Sequence, residues 1–274
     1  MSAAVLITGA SGRLGSALAT ALADENFALR LTDLRPFPSE VPPGAVFEPA
    51  DLADADALAR MARGCRAILH FGGIPNDDAP PEAIAAANLA GVRHVYEAAR
   101  LAGARVVFAS SNHAMGYHAR PARPDQRLDA ASPYRPDGLY GLSKVYGEQM
   151  GRLYRDKHGV ESVNIRIGSC TPAPADARML ATWLSPGDLA RLCACAIRAP
   201  RTGWAMVWGA SDNAASFWAG DDRALIGWAP RDSAEAWRDA VAGLRSGDPV
   251  AERFQGGAFA SRGYSRTGED TAGP

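Results

Sequence analysis

Val5-Leu6-Ile7-Thr8-Gly9-Ala10-Ser11-Gly12-Arg13-Leu14-Gly15 is the stretch on which the fold turns. Val5 to Thr8 reads as a short buried strand, and three glycines follow it at once. Ser16 to Asp24 is then rich in alanine and leucine and reads as a helix. Strand, glycine turn and helix in that order are the context of a dinucleotide fingerprint. Gly9 permits the tight turn, Gly12 lets backbone approach a pyrophosphate, and Gly15 lets helix and strand pack closely. The helix start offers N–H groups to phosphates. A plain turn would also use three glycines, so the outer context has to decide.

That context is a run of alternating strands and helices. Ala28 to Thr32 is a second strand, ending in Asp33, which lies 18 positions after Gly15. An acid near that offset accepts hydrogen bonds from a ribose 2′-hydroxyl and repels a 2′-phosphate, which favours NAD over NADP. Arg35 stands close enough to soften the preference. Val46-Phe47 is a third strand, with Asp51-Leu52 and a helix from about Asp54 to Arg63 behind it. Ala67 to Phe71 is a fourth, closed by Gly72-Gly73, and His70 within it serves packing or a local hydrogen bond. After a polar loop from Pro75 to Pro81, a long helix is expected from about Ala83 to Ala102, with Asn88 inside it. Arg105 to Ala109 is the fifth strand, with Ser110-Ser111-Asn112-His113 at its carboxyl end, where doubly wound folds keep their chemistry. A loop of prolines, arginines and aspartates fills 117–137. Another helix runs to about His158, and Val163 to Ile167 is the sixth strand. The expectation is an α/β fold of Rossmann type, a doubly wound parallel sheet. Beyond it lie a helix at about Asp188 to Arg198 and a strand near Ala205 to Trp208. All six tryptophans fall between Trp183 and Trp237, as a small aromatic core or partly as the wall of a ligand pocket.

Composition narrows the class. A chain of 274 residues with 47% hydrophobic and 22% charged residues can bury a substantial core. A net charge of -1 gives no electrostatic case for nucleic acid or an anionic membrane. No apolar run approaches the ~20 residues of a membrane span, and no secretory leader is legible, so a cytoplasmic location is expected. The four cysteines, Cys65, Cys170, Cys193 and Cys195, show no metal spacing and read as reduced thiols.

Tyr140 and Lys144 stand four residues apart and share one helix face. A phenol titrates near ~10, too high for a base at neutral pH. A neighbouring ammonium favours the phenolate and would draw that value down. Taken alone the pair could merely decorate a helix surface.

In order, the chain carries Gly9-x-x-Gly12-x-x-Gly15, Asp33, Asp51-Leu52, a Gly-Gly strand end, Ser111 and Tyr140-x-x-x-Lys144. This resembles the extended short-chain dehydrogenase/reductase family. Within it, several stretches are similar to the bacterial uronate dehydrogenases. They are His70-Phe71-Gly72-Gly73-Ile74, Val107 to His113, Arg135 to Gly141 and Arg166 to Pro172, with Val207 to Ala210 and Phe254 to Gly257 extending the likeness. The resemblance implies an NAD-binding Rossmann domain over 1–168, a small substrate-binding region over 169–260, and a loose tail over 261–274. It implies NAD as cofactor, held by Gly9, Gly12, Arg13, Leu14, Gly15, Asp33, Asp51, Leu52, Gly72, Asn88, Tyr140 and Lys144. It implies oxidation of a uronic acid at C1, with Tyr140 as general base, Lys144 lowering its pKa and binding the nicotinamide ribose, and Ser111 orienting the hydroxyl. Ser111, Asn112, His113 and Ser169 would contact the sugar, and Arg178, in Arg-Met-Leu-x-Thr-Trp, would clamp its carboxylate. A structural arginine tied to Asp176 is the competing reading of Arg178. Two positions depart from the pattern. Pro75 replaces a serine, and Arg13 replaces a glutamine, where a cation could aid an acidic substrate or point into solvent.

The partner expected is a small uronic acid, and two copies are expected to pair through the two long helices. Two rivals stay open. A nucleotide-sugar epimerase or dehydratase would need room for a nucleotide diphosphate in the roughly 105 residues after the sixth strand. A non-catalytic NAD-sensing regulator would not need the Tyr140/Lys144 pair.

Overall fold

A computed structural model describes residues 4–266. Its strands among these residues are β1 (Ala4–Thr8), β2 (Leu29–Thr32), β3 (Val46–Phe47), β4 (Cys65–His70), β5 (Arg105–Ser111), β6 (Leu128–Asp129), β7 (Ser162–Ile167), β8 (Ser169–Cys170), β9 (Trp183–Leu184), β10 (Trp204–Gly209) and β11 (Trp218–Ala219). Seven of them form one sheet in the order β10-β7-β5-β4-β1-β2-β3, with every neighbouring pair parallel. The winding reverses between β1 and β4. A crevice therefore opens at their carboxyl ends, and loops leaving both strands meet there.

The helices used below are α1 (Arg13–Asp24), α2 (Ala55–Ala62), α3 (Pro81–Ile84), α4 (Gly91–Ala102), α5 (Leu139–His158), α6 (Met179–Thr182) and α7 (Pro186–Arg198). Alternate strand residues feed two cores, because successive side chains point to opposite faces. Val5, Ile7, Leu69 and Val107 meet Leu18 and Leu22 of α1 and Leu189 and Leu192 of α7. Leu6, Ile68, Val106 and Phe108 meet Leu58 of α2, Val95 and Tyr96 of α4, and Tyr154 of α5. A sheet covered on both faces explains the continuous apolar runs of its central strands.

Several details differ from the sequence expectation. β5 runs through Ser110 and Ser111, because both pair in register with Arg166 and Ile167 of β7. The sheet continues past residue 168: α7 and β10 add one more crossover, and β10 pairs with β7 along its whole length. The helix expected from Ala83 starts at Pro81, and a π-helical turn, Ala85–Ala90, interrupts it around Asn88. Residues 117–137 are not all irregular, since β6 pairs with β11. The tryptophans are spread over several contacts: Trp208 stacks on Trp218 with centroids 4.8 Å apart, Trp183 lies against Trp237, and Trp228 joins the main core. Of the expected tail, residues 267–274 lie outside the described residues. Before them, Tyr264 packs against Tyr117 and Phe254. Among the described residues no helix is long and apolar enough to cross a membrane.

Candidate active site

The crevice begins at the turn after β1. Gly9 adopts φ +71°, and a Cβ there would overlap the backbone of Phe71 and Gly72 at the end of β4. Only glycine fits both conditions. Gly12 heads α1 in extended conformation with no side-chain cap, so the positive end of the helix faces the crevice. Gly15 is buried, and a Cβ on it would overlap Gly9 O, so helix and turn pack backbone to backbone. At the end of β2, Asp33 Oδ2 accepts from the Ser11 N–H (3.1 Å) and Oδ1 from the Arg35 N–H (3.2 Å). This fixes the carboxylate beside the turn. A close backbone turn, an uncapped helix start and a fixed carboxylate one strand over suit a dinucleotide's pyrophosphate and ribose.

The remaining expected cofactor residues each have contacts within the protein. Arg13 turns away from the turn and donates to Cys170 O across 2.6 Å, bracing α1 against β8. Leu14 packs on the main core. Asp51 is exposed and accepts from the Ala53 N–H at 2.9 Å. Leu52 packs beneath Gly72 and Gly91. Asn88, buried, has its amide committed to protein: Oδ1 accepts from Ile74 N–H (2.8 Å), and Nδ2 donates to Ile74 O (3.0 Å) and Ser143 Oγ (2.9 Å). It therefore shapes the crevice by tying the β4 loop to α5. The π turn carrying it is the kind of helix irregularity that gathers at functional sites. Pro75 comes next and supplies neither hydroxyl nor N–H.

Tyr140 and Lys144 lie on the first turns of α5, facing Ser111 at the end of β5. Burial pushes the phenol up to about 12, the Ser111 hydroxyl bonded to it pulls the other way, and Asp137 and Asp77 push it further up. Lys144 is lowered to about 8 by burial, opposed by Glu148. The sequence predicted that Lys144 would lower the phenol, and here it does not prevail. Its Nζ lies over ring faces, 5.4 Å from the centre of Tyr140 and 5.1 Å from that of Phe108, rather than at the hydroxyl. Burial, which penalises the charged phenolate, outweighs a cation at that remove.

Across the crevice, four expected sugar contacts converge. Ser169 Oγ bonds Thr182 Oγ1 at 2.9 Å and accepts from Arg178 Nη1 at 3.3 Å. Arg178 Nε donates to Gln255 O at 2.7 Å. With the Asn112 amide turned so that its nitrogen donates to Ile167 O (3.1 Å), its oxygen accepts from Arg178 Nη2 at 2.9 Å. Asp176 accepts from the Met179 N–H instead of pairing with Arg178. Among the described residues Arg178 has no carboxylate in salt-bridge reach. Burial and the nearby Arg120 lower its pKa to about 10, so it is a cation at neutral pH. His113 bonds the buried Asp137 carboxylate through Nδ1 at 2.8 Å, with its ring stacked on Phe259 at 4.0 Å and edge-on to Tyr140 at 5.9 Å. With Nδ1 committed, Nε2 is the nitrogen left for a ligand.

Five neighbouring residues escaped the sequence reading. Asp137 fixes His113, and Phe259 backs it. Asp77 accepts from the Tyr140 N–H at 2.5 Å. Behind the pair, Glu148 and Arg166 form a fully buried bidentate ion pair (3.0 and 2.9 Å) that also takes the Ser110 hydroxyl. Glu148 follows Lys144 by one helical turn, a spacing that could have signalled it. The signal for Asp77 was subtler: Gly138 heads α5 and offers no cap, so an acceptor had to come from elsewhere.

A sheet that reverses its winding beside a glycine-led helix, with a phenol and a serine two strands away, is built to hold a dinucleotide next to a reacting hydroxyl. The chain belongs to the NAD dependent epimerase/dehydratase family, which it matches over residues 5–185. Its similarity to particular members is closer. It is 44% identical over 262 residues to the uronate dehydrogenase of Pseudomonas syringae pv. tomato, covering 94% of each chain. The crystal structure of a glucuronic acid dehydrogenase from Chromohalobacter salexigens superimposes with a TM-score of 0.88 at 43% identity, over 95% of this chain and 97% of that one. A uronate dehydrogenase from Agrobacterium tumefaciens, a Tyr→Ala mutant complexed with NAD, gives 0.87 at 44% identity, over 94% and 97%.

Proposed function

We propose that this chain oxidises a hexuronic acid, glucuronate or galacturonate, at C1 to the aldarolactone, with NAD as oxidant. The observation that carries the reading is Arg178, a half-buried cation with no carboxylate partner among the described residues, bonded to Asn112, the residue after Ser111. A site so arranged asks for an anion on the ligand. Ser111 Oγ orients the anomeric hydroxyl, and Tyr140 takes its proton as the C1–H bond breaks. Lys144 keeps positive charge behind the phenol as it ionises, and His113 Nε2 and Ser169 hold ring hydroxyls. NAD, when bound along the Gly9–Gly15 turn, supplies the hydride acceptor. The products are the lactone, NADH and one proton, which leaves through Tyr140.

The active-site assignments are supported by geometry and by the resemblance of the motifs. Incubating the protein with NAD and each uronate tests the reading: NADH should accumulate with an aldarolactone visible by NMR. Turnover of a UDP-sugar without net NADH, and none of either uronate, would replace it with the epimerase reading. We expect two copies to pair through α4 and α5, where Leu101, Leu142 and Leu153 stand exposed. A monomer in sedimentation would exclude this.

A further inference from the structure

We infer that Asp77, from the loop after β4, caps the catalytic helix from outside and so positions the Tyr140 phenol. The inference rests on the reading of Tyr140 as the base. α5 is preceded by Gly138, in extended backbone, which gives it no side-chain cap. Its first-turn N–H groups therefore need an acceptor from elsewhere in the fold. Asp77 Oδ1 meets one of them, the N–H of Tyr140 itself, at 2.5 Å across 63 residues of sequence. The approach requires Gly138, because a Cβ there would overlap the Asp77 carboxylate.

The loop carrying Asp77 is held at its other end as well. Asn88 pins Ile74 through both backbone groups and reaches Ser143, whose hydroxyl donates to Tyr140 O at 2.7 Å. Tyr140 is thus gripped by its N–H through Asp77 and by its carbonyl through Ser143 and Asn88, both grips originating outside α5 or leading out of it. Since Gly72, at the root of this loop, packs against Gly9 of the cofactor turn, the segment links the cofactor cradle to the base. Asp77 Oδ2 is buried and has no hydrogen-bond partner among the described residues. That leaves a negative charge close to the phenol, which is otherwise faced by Ser111, His113, Asp137 and Lys144. The cap therefore fixes the base while opposing its ionisation.

Removing the cap and removing the charge can be separated. Asp77→Asn keeps an oxygen acceptor and loses the charge, whereas Asp77→Ala loses both. Gly138→Ala leaves Asp77 in place but blocks its approach. Amide exchange at Tyr140, kcat against pH with a uronate, and NAD affinity are measured for all three. Asp77→Ala and Gly138→Ala should exchange the Tyr140 amide at least ~10-fold faster than wild type. In Asp77→Ala kcat should fall by about tenfold with NAD affinity within about twofold. Asp77→Asn should restore protection and most of kcat, and shift the acidic limb of the kcat profile down by about half a unit. Unchanged Tyr140 protection in Asp77→Ala, or equal loss of kcat in the Asn and Ala variants, would overturn the assignment. Exchange reads the cap without any substrate. A protein that shows the exchange pattern but turns over no uronate would thus refute the proposed reaction and leave the cap standing.

Discussion

Arg178→Met isolates what the protein reads at the far end of its substrate. A guanidinium has five N–H donors. In this structure three are spent, on Gln255 O, Ser169 Oγ and the Asn112 oxygen, one from each nitrogen. Two remain, one on each terminal nitrogen, which is the count a bidentate carboxylate needs. Losing such a contact in a desolvated site costs about 2–4 kcal/mol, or roughly 30- to 700-fold in kcat/KM. Methionine keeps the stem that packs at Gly257 but strands three acceptors, so some stability is lost as well, about 1–3 kcal/mol. Kinetics should therefore be run well below the melting temperature of the variant. With glucuronate and galacturonate kcat/KM should fall within that range, while any weak oxidation of glucose or galactose should hold or improve. Equal losses on acid and neutral sugars, or a loss under ~5-fold on the acids, would refute the reasoning and make Arg178 a brace for Gln255.

Other expectations follow from the same geometry. Asp33 should set the cofactor: kcat/KM with NADP is expected at least ~100-fold below that with NAD, since a 2′-phosphate would meet a carboxylate already fixed by Ser11, and comparable values would point to Arg35. Tyr140→Phe should lower kcat by at least ~100-fold with NAD affinity nearly intact, and retention of half the wild-type rate would exclude the phenol as base. Glu148→Gln leaves Arg166 buried and unpaired, and urea unfolding should show a loss of about 3–5 kcal/mol; a loss below ~1 kcal/mol would mean that water reaches the pair. His70 is lowered from 6.5 to about 3 by burial, with Lys144 adding to the shift. Between those values the unfolded chain binds the extra proton, so stability rises with pH across that window and is lost as pH falls through it. At pH 5 the cost should be about 2 kcal/mol relative to neutral pH, and His70→Gln should remove that slope.

Local signals carried most of the fold. The Val5–Thr8 run, the glycine spacing and the apolar strands are properties of neighbouring residues, and they placed the sheet and the crevice correctly. Ser110 and Ser111 looked like loop because small polar residues follow an apolar run, yet pairing with β7 holds them in the strand. What failed to show was whatever depends on distant partners. Asp77 reaches Tyr140 across 63 residues and Asp137 reaches His113 across 24, and the local pattern, which shows at most that the uncapped α5 lacks an acceptor, names neither partner. The sign of the Tyr140 shift was misjudged for a related reason: the spacing to Lys144 is visible in sequence, whereas the desolvation that outweighs it is set by the packed fold. Arg13, read as a cation for an acidic substrate or a side chain in solvent, also closes a contact with β8 that no helical periodicity could reveal.

The central claim is hydride transfer from C1 of a uronate to NAD, and it can be followed with the label itself. Glucuronate or galacturonate deuterated at C1, turned over once with NAD, should leave one deuterium on the reduced nicotinamide per lactone formed. Reduced cofactor without deuterium, or lactone formed without reduced cofactor, would contradict the account.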